Sequence, residues 1–262
     1  LSPSFKIVDN SFNKEFYSDY HLSFIVGLSG FAYCIFDLKQ NRLSALEEII
    51  FQKQPNYESL CEQLKSFFSQ SPILSEKFKS VSVGIYNETA TLVPSALFEE
   101  DKKKDILQFN FSGDNFSPGY DFLQDFELFN VYDAPEVIGK TFKDIFGKVK
   151  IVHFSSSLLK SLLIENKFKT GIKVYLHFFQ KNSYGAGSRY EIVILSDGGL
   201  LFFNSFHYQE KEDIIRHYGA PPESISVIPC GVNLDLFRPM DRKAAKRELG
   251  FNDEKIILFV GR

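Results

Sequence analysis

The sequence has no tryptophan and one methionine, against 29 phenylalanines and 12 tyrosines. Its core must be built from phenylalanine rings and branched aliphatics. Cysteine is scarce as well: Cys34, Cys61 and Cys230 stand far apart. Neither a Cys-x-x-Cys pair nor a His–Cys spacing occurs, which argues against a zinc site and against disulfide stapling. No apolar run reaches the roughly 18 residues that a membrane-spanning helix needs. Charge of one sign is not in excess, since 30 Lys and Arg meet 33 Asp and Glu for a net charge of −3. No global basic field then favours nucleic acid or anionic lipid. Lys102, Lys103 and Lys104 follow Glu99, Glu100 and Asp101 and precede Asp105, the pattern of a solvated helix face. A secretory leader pattern is missing, so the Asn-x-Ser/Thr matches at Asn87, Asn110 and Asn115 read as chance and a cytoplasmic location is expected. The five histidines are scattered and build no Ser/His/Asp arrangement; His153 and His177 read as satisfied core or rim residues on strands.

What the chain does have is 44% hydrophobic and 24% charged content over 262 residues, enough for a packed core. Its organising stretch is Lys173 to Tyr208. Val174 to Phe179 is an apolar strand, and Asn182 to Ser188 is a turn holding Gly185 and Gly187. Tyr190 to Leu195 is β-rich, Asp197-Gly198-Gly199 is a tight hairpin signal, and Leu200 to Tyr208 is a third strand. Leu22 to Phe51 has the same layout. Leu22 to Gly27, Phe31 to Phe36 and Leu43 to Phe51 are strands, joined by turns at Ser29-Gly30 and Gln40-Asn41. Two such meanders half a chain apart predict a duplicated α/β unit.

Between them, apolar spacing predicts a helix from Asn56 to Phe68 after Pro55. A strand follows at Val81 to Tyr86 and another at Ala90 to Val93. Ser95 is the expected cap of a helix running from Ala96 to Gln108, with Leu97, Phe98 and Ile106 inward. Asn110 to Tyr120 reads as loop and Phe126 to Tyr132 as strand. A helix from Asp133 to Phe146, a strand from Val149 to Phe154 and a helix from Ser157 to Glu165, capped by Ser155 or Ser156, complete the span. Leu1 to Tyr20 shows no clear period.

That element order resembles the actin-like ATPase fold, itself RNase H-like, and in particular a Bacteroidetes-type family of unknown function. The residues carrying it are His21-Leu22-Ser23, Thr91 to Phe98, Ile151-Val152-His153-Phe154 and Gly199 to Phe206. Active members of the fold place an acidic residue in the first hairpin of each half, where carboxylates hold Mg²⁺ beside the phosphates and turn glycines admit them. Here neither His21 to Phe36 nor Val174 to Ser188 contains Asp or Glu. The acidic position falls near Ile25, with Gly27 retained. Gly27, Gly185 and Gly187 are the candidate nucleotide-facing positions by resemblance. A lone Gly-x-Gly in a hairpin is more often turn chemistry. Without carboxylates to place Mg²⁺, phosphoryl transfer loses its positioning and charge neutralisation together. The expectation is a degenerate actin-like domain with no catalytic residue and no metal ligand, acting through an unidentified protein partner.

The end of the chain differs. A helix over Lys211 to Tyr218 and a strand over Ile225 to Ile228 lead to Pro229-Cys230-Gly231-Val232 and Phe237-Arg238-Pro239. A helix over Arg242 to Leu249 and a strand over Lys255 to Val260 end at Gly261-Arg262. This partial Rossmann-like segment resembles the piece joining the two domains of retaining GT-B glycosyltransferases of family four. By that resemblance Arg262 would face a donor diphosphate, since a guanidinium grips phosphate oxygens. The expected division is therefore 1–170 as a first actin-like half, 171–210 as the start of a second, and 211–262 as a glycosyltransferase-like tail. The seam near 209–213 and both chain ends read as a fragment or a chimera. Three functions stay open: a non-catalytic actin-like module, a fragment of a nucleotide-sugar glycosyltransferase, and an ATP-binding actin-like protein. No cofactor is assigned, ATP and a nucleotide sugar entering by resemblance only.

Overall fold

Alternation along Tyr20-His21-Leu22-Ser23-Phe24-Ile25-Val26 puts Leu22, Phe24 and Val26 on one side of a strand, where they are buried. In the computed structural model this strand is the middle of the molecule. The structure describes residues 3–10, 12–51, 54–167, 169–179 and 189–207. Strands β1 (Pro3–Val8), β2 (Tyr20–Gly27), β3 (Gly30–Asp37) and β4 (Arg42–Ile50) are followed by helix α1 (Tyr57–Gln70) and strand β5 (Ser80–Ile85). Then come β6 (Ala90–Pro94), α2 (Lys103–Asn110), β7 (Pro118–Leu123), β8 (Leu128–Asp133), α3 (Glu136–Phe146), β9 (Val149–His153) and α4 (Phe154–Asn166). The second meander is β10 (Ile172–Phe179), β11 (Arg189–Ser196) and β12 (Gly199–His207).

Six strands form the main sheet in the order β1-β4-β3-β2-β5-β9. The first meander is antiparallel, while β5 pairs parallel with both β2 and β9. Helices α1 and α3 pack together over one face. The Asn56 side chain caps α1 by accepting from the Ser59 N–H at 2.9 Å, and Leu60, Cys61, Leu64 and Phe68 are buried along it. With no tryptophan available, the core is a phenylalanine stack. The Phe24 ring lies 5.1 Å from Phe142, 5.4 Å from Phe146 and 5.5 Å from Phe68. Such offset aromatic contacts add about 0.5–1.5 kcal/mol each beyond area burial.

Two smaller sheets complete the fold, β6-β8-β7 and β10-β11-β12, both antiparallel. The second has the layout of β2-β3-β4. Asp197 and Gly198 both take positive φ, 50° and 81°, as the Asp-Gly signal requires for a two-residue hairpin. Gly171 donates its N–H to Asp197 Oδ1 at 2.8 Å, and this bond holds the Asp197 carboxyl below its usual range.

Four local expectations differ from the structure. The lead-in contains β1, which pairs antiparallel with β4; strand pairing, not periodicity, orders it. The helix expected over 96–108 is broken. Ser95–Leu97 and Glu100–Lys102 are single 3₁₀ turns, Phe98 is extended, and the regular helix begins at Lys103. Phe98 stacks on Phe129 at 3.9 Å, and Leu97 points outward at 71% exposure. Part of the loop expected over 110–120 belongs to strand β7, which opens on Pro118 at the edge of its sheet, where proline costs no ladder hydrogen bond. The cap of α4 is His153 in place of a serine. Among the described residues no helix is long and apolar enough to cross a membrane.

Candidate functional site

In open α/β sheets ligands sit outside the carboxyl ends of the parallel strands. Here those ends are Gly27, Ile85 and His153. The chain turns directly from β9 into α4 at His153, so this ring takes the role of helix cap. Its Nδ1 accepts the Ser155 N–H at 3.2 Å, and Nε2 lies 3.3 Å from the Asn87 carbonyl oxygen. An acceptor at Nδ1 and a carbonyl at Nε2 fix the tautomer: the proton is on Nε2. Asn130, buried on β8, donates from Nδ2 to Ser155 Oγ at 3.0 Å and Ser156 Oγ at 2.8 Å. Asp121 on β7 accepts the His153 N–H at 2.8 Å. Burial pushes the Asp121 carboxyl up, against the hydrogen bonds from Ser156 and the His153 amide. A strand end, a helix start and two strands of the small sheet are thereby tied into one polar knot.

The second meander faces this knot. β11 brings Glu191, fully buried, and β12 brings Asn204 and Ser205. Ser205 Oγ donates to Glu191 Oε1 at 3.3 Å, and His177 Nδ1 lies 3.7 Å from Glu191 Oε2. Between the two parts is a cavity of about 500 Å³, lined by Asn87, Glu88, His153, Ser155, Glu191, Asn204 and Ser205 with apolar walls at Leu92, Phe111 and Phe203. Among the described lining residues there is no Lys or Arg, and two are carboxylates. This cleft suits hydroxyl and amide groups. Its two carboxylates, Glu88 and Glu191, would repel a polyphosphate placed beside them.

Ile25 packs with Phe154 against the buried Tyr86. Gly27 pairs with Gly30 across a turn made by Leu28 and Ser29. The carbonyls of that turn are taken by the chain itself. Phe51 donates to Ser29 O and Gln54 to Leu28 O, both at 2.8 Å. Behind them the sheet is tight, since a Cβ on Gly30 would stand 2.3 Å from Ile49 O. Among the described residues no group of three His, Cys, Asp or Glu is placed to hold a metal ion.

Of the four positions singled out in the sequence, Gly27 lies at the end of β2, beside this closed turn. Gly185, Gly187 and Arg262 lie outside the described residues, as do Cys230 and the elements expected beyond residue 208. Asn130 and Glu191 were not singled out. Their one signal is a polar residue inside an apolar strand, Leu128-Phe129-Asn130-Val131 and Tyr190-Glu191-Ile192-Val193.

Comparison with known proteins supports both likenesses. A solved protein of actin-like ATPase fold and unknown function from Bacteroides thetaiotaomicron VPI-5482 is similar at a TM-score of 0.64 and 19% identity, over 93% of this chain and 82% of that one. At that identity the likeness shows the fold alone, and the fold is actin-like. A short stretch is similar to D-inositol 3-phosphate glycosyltransferases. It is 48% identical to that of Thermobispora bispora over 54 residues, and 50% identical to that of Geodermatophilus obscurus over 54 residues. Each match takes 20% of this chain, which spans only 13% and 12% of those two relatives. A family model covers residues 9–219, and the chain belongs to the family it describes, Protein of unknown function (DUF3822).

Proposed function

We propose that this chain is a non-catalytic actin-like module, a scaffold or binding unit that acts through protein contacts and has lost the ATPase chemistry of its fold. The observation that carries the reading is the first hairpin. The position that the resemblance makes acidic falls near Ile25, which packs against Tyr86. Mg²⁺ has no carboxylate there to hold it. The cleft lining points the same way, with Glu88 and Glu191 and no cation among its described residues. In this reading residues 1–170 are the first actin-like half, 171–210 begin the second, and Gly27 serves the turn and not a nucleotide. The test is calorimetric titration of the chain with ATP and Mg²⁺, together with a phosphate-release assay. No saturable heat and no release above buffer are expected; Mg²⁺-dependent binding with turnover would overturn the proposal.

One observation favours a second reading: the 48–50% identity to glycosyltransferases over 54 residues. Under it, residues 211–262 derive from a nucleotide-sugar-dependent retaining glycosyltransferase, and Arg262 is the donor-diphosphate contact. Saturable binding of a uridine diphosphate sugar, lost in Arg262→Ala, would support it.

A further inference from the structure

The side of the main sheet turned away from the phenylalanine core is polar where α4 packs on it. His21 from β2, Ser82 from β5, Lys150 from β9 and Ser156, Ser157 and Lys160 from α4 enclose a cavity of about 240 Å³. These residues are separate from the lining of the larger cleft except through the shared helix. The described lining carries two ammonium groups and no carboxylate. Neither lysine takes part in a salt bridge among the described residues. The acid that feels Lys160 is Asp121, held by the His153 amide and by Ser156. It answers one of the two positive charges and leaves Lys150 without a counter-charge.

The hydroxyl groups are arranged to match. His21 Nδ1 is 2.7 Å from Ser80 Oγ and Nε2 is 2.9 Å from Ser82 Oγ. Burial holds the His21 ring below its ordinary pKa, which favours the neutral form. A neutral imidazole donates from one nitrogen and accepts at the other. With the ring proton on Nε2, Ser82 accepts from the ring and keeps its own proton for a ligand. Ser157, exposed on the first turn of α4, adds another hydroxyl.

We infer that this pocket binds a small phosphate dianion, free or as a monoester, held by Lys150 and Lys160 and hydrogen-bonded by Ser82 and Ser157. Flexible ammonium groups suit a compact point charge of this kind. The volume falls below the roughly 300 Å³ at which pockets begin to take drug-sized molecules, so a whole nucleotide is excluded. The site stands whether or not the larger cleft is inert.

The experiment titrates the full chain at low ionic strength with inorganic phosphate and with glycerol 3-phosphate, read by calorimetry. Saturable binding is expected for at least one of them. Lys150→Ala and Lys160→Ala should each weaken it roughly tenfold, the scale of one charge-assisted hydrogen bond. The double variant should abolish it, Lys160→Arg should retain it, and Lys65→Ala on α1 should leave it unchanged. Thermal melts of each variant establish that the fold is kept. Absence of saturation with both probes, or equal binding by the double variant, overturns the inference. ATP binding that survives the double variant would overturn the inert reading of the cleft and leave this site untouched.

Discussion

Replacing Gly30 by alanine tests the closed hairpin directly. Gly30 opens β3 between Gly27 on one side and Ile50 on the other. An added Cβ would stand 2.3 Å from Ile49 O and 3.2 Å from Ile50 Cα. Both are backbone atoms, so no side chain can swing away. Restoring ordinary contact means displacing β4 from the turn by about 1 Å. That displacement weakens three attachments: the Gly30–Ile50 pairing, the Phe51 bond to Ser29 and the Gln54 bond to Leu28. At about 1 kcal/mol net for each, the loss is about 3 kcal/mol, at the upper end of what overpacking costs. For a chain near this size that lowers Tm by about 6–12 °C, readable by circular dichroism with a urea melt as the companion. A fall of less than about 2 °C would refute the reasoning. It would mean that β4 yields to the turn at little cost and that space beside Gly27 can open.

Three further outcomes follow from the same geometry. Gly139→Ala, inside α3 with nothing within 4 Å of an added Cβ, should stabilise the chain by about 0.5–1 kcal/mol and raise Tm in the same melt. Phe142→Ala removes a fully buried ring in contact with Phe24 and Phe68 and should cost about 3–5 kcal/mol in urea unfolding. Burial raises the carboxyls of both Asp121 and Asp133, so the folded chain takes up these protons before the unfolded chain does. Their contribution to stability therefore rises as pH falls from neutral through the raised values, and is complete below the ordinary value of 3.8. His21 acts oppositely: its lowered value means stability is lost as pH falls below 6.5. Asp121→Asn should flatten the acid-side gain in a series of urea melts between pH 7 and pH 4, and an unchanged slope would remove Asp121 from the account.

The meanders were legible because alternation and turn residues are local signals. Leu22, Phe24 and Val26 announce a buried face without reference to anything distant, and Asp197-Gly198 announces its own turn. The central actin-like order followed from them. What escaped depended on partners far along the chain. β1 is a strand because β4 offers it an edge. The 96–108 segment fails to be one helix because Phe98 is claimed by Phe129 on β8. His153 was placed on a strand but not recognised as a cap, since histidine is not a usual capping residue and its tautomer is set by Asn87, 66 positions away in sequence. Asn130 shows the same limit: a lone amide in an apolar strand takes meaning only when Ser155 and Ser156 arrive beside it.

Under the non-catalytic reading, the acid-free first hairpin does not stand alone. Ile25 belongs to a small apolar cluster with Tyr86 and Phe154, and Phe154 is the first residue of the helix that His153 caps. A carboxylate placed at position 25 would stand against the Tyr86 ring, where desolvation disfavours its charge. The larger cleft, for its part, has a described lining without a cation to neutralise phosphate. Chemistry on a triphosphate needs both conditions reversed together, because metal placement and charge neutralisation act on the same transferring group. The positive charge that this part of the fold does hold, on Lys150 and Lys160, is gathered on the other side of the sheet from the phenylalanine core, in a pocket too small for a nucleotide. The proposed anion site and the larger cleft therefore share no lining residue, and one can be emptied of charge without touching the other.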